Sequence, residues 1–234
     1  MSEFVGALVG ASMPLIMEVK RATAGGTDLL RGRSIADVVA AYRDAGAACM
    51  SVVTGRWFGG TPAMLRDVSR AAGVPVLQKD FVTRESHLAQ ARDLGAAAVL
   101  LTAQLLPAPV LRRLIRQSLR FGLTPFVEVI SEREIDAVVH PDECVIAVNN
   151  KDIQRRERGP ATVDRSLALL PAVRATGTPC PVSASGIDRP ETAARLLAAG
   201  YAGLLVGTAL LRADTPAAWI REPDRLRRPA RAIP

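Results

Sequence analysis

Along the 234 residues, short runs of apolar and β-branched residues alternate with longer stretches whose apolar positions recur every three or four residues. The short runs fall at 15–20 (LIMEVK), 49–54 (CMSVVT), 75–80 (PVLQKD), 97–102 (AAVLLT), 124–129 (TPFVEV), 144–149 (CVIAVN), 181–185 (PVSAS) and 202–207 (AGLLVG). Most are nearly continuous rather than alternating, as required of strands covered on both faces. The intervening windows at 34–47, 61–73, 86–95, 107–122, 131–140 and 189–200 read as helices. Several open on Ser, Thr or Pro and several close on Gly, matching start and stop signals. Ser131 and Glu134 have the spacing of a capping box. Eight strand–helix units with short joints predict an α/β fold, a (β/α)8 TIM barrel in a single domain with its core at about 14–220. A doubly wound open sheet is the structural alternative. The basic stretch at 221–234 reads as a solvated, frayed tail.

Composition narrows the function classes. With 49% hydrophobic and 23% charged residues the chain is neither disordered nor collagen-like. It has no uncharged apolar run of about 18 residues, so no membrane span is expected. The N-terminus lacks a basic segment and carries Glu3, unlike a secretory signal. Cys49, Cys144 and Cys180 lack metal-ligand spacing and suit a reducing cytoplasm, the expected location. A net charge of +7 suggests an anionic partner. The basic residues are scattered along helices, and aromatics are only 4%, too few for base-stacking platforms. A small phosphorylated substrate fits the charge as well as nucleic acid does, and no nucleic-acid partner is expected.

The cations themselves are uneven. Of 30 Lys plus Arg, only Lys20, Lys79 and Lys151 are lysines. A compact ammonium with a tunable pKa does what Arg cannot, and all three lysines fall at or just beyond the C-terminal ends of predicted strands, where barrel chemistry sits. Glu18 and Lys20 share a strand face. Glu128 sits near the end of strand 5, and Asn149 and Lys151 repeat the two-residue spacing beyond strand 6. An ammonium and a carboxylate facing each other across a barrel support acid–base chemistry without a metal or cofactor. Ser185 and Gly186 after strand 7, with Gly207 and Thr208 after strand 8, suit an anion held by backbone amides. His87 and His140 fall in helical stretches and read as structural or exposed.

In order along the chain stand PLIMEVKRA, WFGGTPAML, VPVLQKDF, AAVLLTA, FVEV, IAVNNKDI, VSASGI and LLVGTALLRA. Together these motifs resemble the indole-3-glycerol phosphate synthase family over about residues 14–215. The resemblance implies a substrate in which anthranilate is joined to a deoxyribulose phosphate, and an activity that closes a ring and releases CO2 and water. It implies Lys79 as general acid and Glu128 as general base. Glu18 would orient the lysines, and Asn149 the reacting amine and carboxylate. Lys20 and Lys151 would meet anionic groups, and Phe58, Phe81 and Leu100 would form the aryl slot. Ser185, Gly186, Gly207 and Thr208 would hold the phosphate.

Three features depart from the family pattern. The strand-7 signature SESG is Ser183-Ala184-Ser185-Gly186 here, which removes a carboxylate or makes room for a different ring substituent. Lys151 replaces an arginine. The segment before strand 1 is shortened to about a dozen residues, and the loop at 23–33 is not of the usual Ser-Pro-Ser type. Two other readings therefore stay open. One is a paralogue of specialised metabolism that cyclises a related arylamino sugar phosphate, with or without loss of CO2. The other is a non-catalytic barrel that binds a phosphorylated ligand.

Overall fold

A computed structural model describes residues 1–151 and 162–227. Eight parallel strands close into a barrel in sequence order. They are β1 (Leu15–Val19), β2 (Cys49–Val53), β3 (Val76–Lys79), β4 (Ala98–Thr102), β5 (Thr124–Val129), β6 (Val145–Asn149), β7 (Cys180–Ala184) and β8 (Gly203–Val206). The open-sheet alternative is excluded, since β1 pairs with both β2 and β8. The helices are α1 (Glu3–Val9), α2 (Ile35–Asp44), α3 (Pro62–Ala72), α4 (Glu85–Asp93), α5 (Ala108–Arg120), α6 (Glu132–Ile135), α7 (Asp164–Ala175), α8 (Pro190–Ala199), α9 (Thr208–Arg212) and α10 (Pro216–Arg227).

The near-continuous apolar strands divide by parity. Ile16, Cys49, Leu77, Ala98, Phe126, Ala147 and Cys180 point into the barrel. Their neighbours Leu15, Met17, Met50, Val99, Val127 and Ile146 pack outward under the helices. The same parity carries inward-facing polar residues upward to the C-terminal rim. The pairings Glu18 with Ser51, Val53 with Lys79, Thr102 with Glu128, and Asn149 with Ala184 set their order around the ring.

Helix α1, which the hydrophobic pattern did not announce, closes the opposite end. Phe4, Val5 and Leu8 join the inner core, and Phe4 meets Phe126 edge-on with ring centroids 6.4 Å apart. Ser2 caps the helix at Val5 N and receives the Thr124 hydroxyl at 2.8 Å. Gly203, at the start of β8, admits Leu8: a β-carbon there would lie 2.5 Å from Leu8 Cδ2. The residues ahead of β1 thus form the floor of the barrel. All three cysteines are buried, and burial pushes each thiol up to about 12.

Other expectations need correction. The helix anticipated over 131–140 lasts only from Glu132 to Ile135. Pro141 disfavours helical backbone at His140, which sits exposed in the left-handed region at φ 52°. The Ser131 capping box does not form. Glu134 instead accepts the amide of Ile130, one residue earlier, at 2.8 Å. A full capping box occurs at Ser34 and Asp37 of α2. The tail expected to fray from residue 221 is helical through Arg227 as part of α10, with Ile220 buried against the barrel's outer core. Residues 228–234 of that tail lie outside the described residues. Among the described residues no helix is long and apolar enough to cross a membrane.

Candidate active site

At the C-terminal rim, Glu18 is the centre of an ion triad. Its Oε1 lies 2.8 Å from Lys20 Nζ and its Oε2 lies 3.6 Å from Lys79 Nζ. Burial by itself would raise the Glu18 carboxyl. The charge of Lys20, then that of Lys79, and hydrogen bonds from both outweigh it and hold the group at about 2, from an ordinary 4.5. From α2, Tyr42 braces the triad from outside by donating to the Glu18 carbonyl at 3.1 Å. Its phenol is pushed up by burial and, less strongly, by the Glu18 charge.

A carboxyl depressed in the folded state stabilises the fold above its unfolded pKa, and the contribution disappears as pH falls through the folded value. For Glu18 the window runs from about 4.5 down to about 2. The stability at stake is on the order of 3 kcal/mol. Unfolding free energy measured across that range is expected to fall with acid, and with a shallower slope in Glu18→Gln. Equal slopes for the two proteins would contradict the triad's electrostatics.

The triad stands between two adjoining cavities. The smaller, about 260 Å³, is lined by Lys20, Lys79, Lys151 and Arg212 against the carboxylates Glu18 and Asp188, and by Ser185, Gly186, Gly207 and Thr208. Its four cations against two acids favour an anion. Lys20 Nζ reaches Thr208 Oγ1 at 3.5 Å, tying the triad to the turn into α9. The larger cavity, about 560 Å³, is lined by Trp57, Phe58, Phe81 and Leu100, with Glu128, Thr102 and the three lysines at its polar points. Lys20, Lys79, Lys151 and Phe58 line both.

Local chemistry fixes the side chains that face these spaces. Asp80 accepts the Thr54 hydroxyl at 2.7 Å and the Phe81 amide at 2.8 Å, which folds the turn between Lys79 and Phe81. Gln78 donates to the same Thr54 hydroxyl. After β6, Arg165 from α7 donates to the carbonyls of Asn149 and Lys151 at 2.6 and 3.3 Å. Near the mouth, exposed Trp57 meets Phe81 edge-on at 6.3 Å.

Of the residues singled out in the sequence, Glu18, Lys20, Phe58, Lys79, Phe81, Leu100, Glu128, Lys151, Ser185, Gly186, Gly207 and Thr208 all line one or both cavities. Asn149 lines neither. It is buried, and its Oδ1 accepts the Lys151 amide at 2.9 Å. Ala184 also lines neither cavity and is fully buried in the inner core, so the small residue opens no extra room there. Sequence reasoning passed over Trp57, Thr23, Asp188 and Arg212. Trp57 stood in the WFGG motif as a large aromatic next to turn glycines. Arg212 lies four residues beyond Thr208, one helical turn away. Thr23 and Asp188 carried no such signal. His87 is half-buried, accepts the Arg84 guanidinium at 2.8 Å and takes no part in the cavities. Among the described residues no three His, Cys, Asp or Glu are grouped to hold a metal ion.

The family model for indole-3-glycerol phosphate synthase matches residues 2–222. The chain belongs to the indole-3-glycerol phosphate synthase family. The synthase of Carboxydothermus hydrogenoformans is 34% identical over 203 residues, covering 86% of this chain and 75% of its own. That of Pyrococcus furiosus is 33% identical, covering 89% and 90% respectively. The 3-hexulose-6-phosphate synthase of Salmonella typhimurium shares the fold alone, with a TM-score of 0.68 at 16% identity over 91% of this chain and 97% of its own. Family membership accords with a site that joins an anion pocket to an aromatic slot through an ion triad.

Proposed function

We propose that this barrel converts 1-(2-carboxyphenylamino)-1-deoxyribulose 5-phosphate into indole-3-glycerol phosphate. The observation that carries the reading is the placement of Lys79 on the wall common to both cavities, with Glu18 beside it. A substrate with its phosphate at Ser185, Gly186, Gly207 and Thr208 and its ring between Phe58, Phe81 and Leu100 lays its ketone across that wall. Lys79 donates a proton to the ketone oxygen as the carboxyl-bearing ring carbon attacks the ketone carbon. The carboxylate leaves as CO2, and its bonding pair restores the aromatic ring. The new hydroxyl then leaves as water while a base removes the proton that completes the indole, a task assigned to Glu128. The sequence is redox-neutral and consumes no cofactor.

Lys20 and Lys151 face the substrate's anionic groups in this assignment, and Asn149 acts from behind by holding the Lys151 backbone amide. The partner is a small phosphorylated arylamino sugar rather than nucleic acid, and the buried thiols accord with a reducing cytoplasm. Incubation with the carboxyphenylamino substrate is expected to release CO2 stoichiometrically with the rise of indole fluorescence. Tight binding with neither signal would overturn the reading in favour of a binding protein.

A further inference from the structure

Asn150, next to the residues assigned above, has its side chain turned away from both cavities and into the protein. It is buried, and its Nδ2 donates to Ser183 Oγ at 3.1 Å, to the Ala184 carbonyl at 3.1 Å and to the Ser185 carbonyl at 3.0 Å. Its backbone amide donates to the same Ala184 carbonyl at 2.9 Å. Its Oδ1 accepts the Ser166 amide at 3.1 Å. Ser166 Oγ is 2.7 Å from Ser183 Oγ, and the Ser166 carbonyl accepts the Tyr201 hydroxyl at 2.7 Å. One carboxamide thus joins the ends of β6 and β7 to α7 through a network closed to solvent.

The two carbonyls that Asn150 grips belong to the peptide units Ala184–Ser185 and Ser185–Gly186. No described peptide bond is cis, and in a trans unit the N–H points opposite to the C=O. Drawing both carbonyls toward Asn150 therefore turns the amides of Ser185 and Gly186 the other way, to the side where both residues line the smaller cavity. Neither amide donates to a turn or loop carbonyl among the described residues. The grip also explains the backbone at Ser185, which lies at φ 66° and is followed by Gly186 at φ 73°. Left-handed backbone is costly for a non-glycine residue and persists where its surroundings over-determine it. Here a three-way donor from a buried side chain does so.

We infer that Asn150 is a positioning residue for the anion pocket: its carboxamide orients the Ser185 and Gly186 amides so that they meet the substrate phosphate. The inference rests on the reading of that cavity as the phosphate site. A structural asparagine would be tolerated or missed without regard to the ligand's charge, whereas a positioning one acts only on ligands that carry the phosphate.

The test compares the affinity of two ligands, indole-3-glycerol phosphate and its dephosphorylated form, for the wild type, Asn150→Ala and Asn150→Asp. The aspartate variant keeps the shape and the acceptor for Ser166 while removing the donors. Both variants are expected to weaken the phosphorylated ligand by roughly tenfold or more, with affinity for the dephosphorylated ligand unchanged and KM raised more than kcat is lowered. Equal weakening of both ligands, or no weakening of the phosphorylated one, would overturn the inference. If the wild type itself fails to prefer the phosphorylated ligand, the phosphate-site reading falls, and this inference with it.

Discussion

Replacement of Lys79 by alanine is expected to lower kcat by roughly two to four orders of magnitude, the range for loss of a positioned general acid. The fold should survive, because Glu18 keeps its closer partner, Lys20 at 2.8 Å. Lys79→Arg should fail to restore turnover: a guanidinium holds its proton at any working pH and is too large and planar to stand in for a compact ammonium. Lys79→Ala should change KM much less than kcat, since Lys20, Lys151 and the amides of the anion pocket remain. Single-turnover kinetics would separate the steps. A variant that closes the ring at the wild-type rate would remove Lys79 from the acid's role.

Gly207→Ala is expected to be nearly as damaging, for a steric reason. A β-carbon at Gly207 would run into Glu18 Oε1 and would stand 3.0 Å from both Glu18 Cβ and Cδ. Glu18 cannot retreat easily, since it is buried and held by two lysines. The methyl group must displace the carboxylate, the turn into α9, or both, which disturbs the triad and the anion pocket together. We expect roughly 10²–10³ off kcat/KM, as for loss of a preorganised electrostatic contact, together with about 1–3 kcal/mol of overpacking strain. Activity and thermal denaturation measured on the same preparation check both. An alanine variant of wild-type activity would mean that the Glu18 position is slack and that the triad is not preorganised.

The barrel itself was legible because fully covered parallel strands leave a strong and repeated signal. The candidate site was legible as a cluster because lysine is rare in this chain, and each of its lysines falls at a strand end. What sequence reasoning missed has local causes. Helix α1 is only seven residues long and contains Gly6, so its apolar face is too brief to register as a period. Helix α7 carries Pro171 inside it, a residue that ordinarily signals a break. The α6 stretch gives way after Ile135 to tighter turns, in which the Ala137 and Val138 amides donate three residues back. Asn149 and Asn150 illustrate a deeper limit. As neighbours in a strand-end motif they look interchangeable. Only the closed ring shows Asn149 folded onto the Lys151 amide while Asn150 grips the next loop. Ala184 is similar: its change from the family's carboxylate was plain in the sequence, whereas its complete burial among inner-core residues required the packing.

The scarcity of lysine has a practical outcome at the bench. Acylating and reductive-alkylating reagents decorate most proteins indiscriminately, but here every side-chain amine borders the same mouth. Apart from the exposed amino terminus, which labels with or without ligand, mild labelling should therefore report on this mouth, with occupancy by a phosphorylated ligand lowering the mass increment contributed by the three lysines.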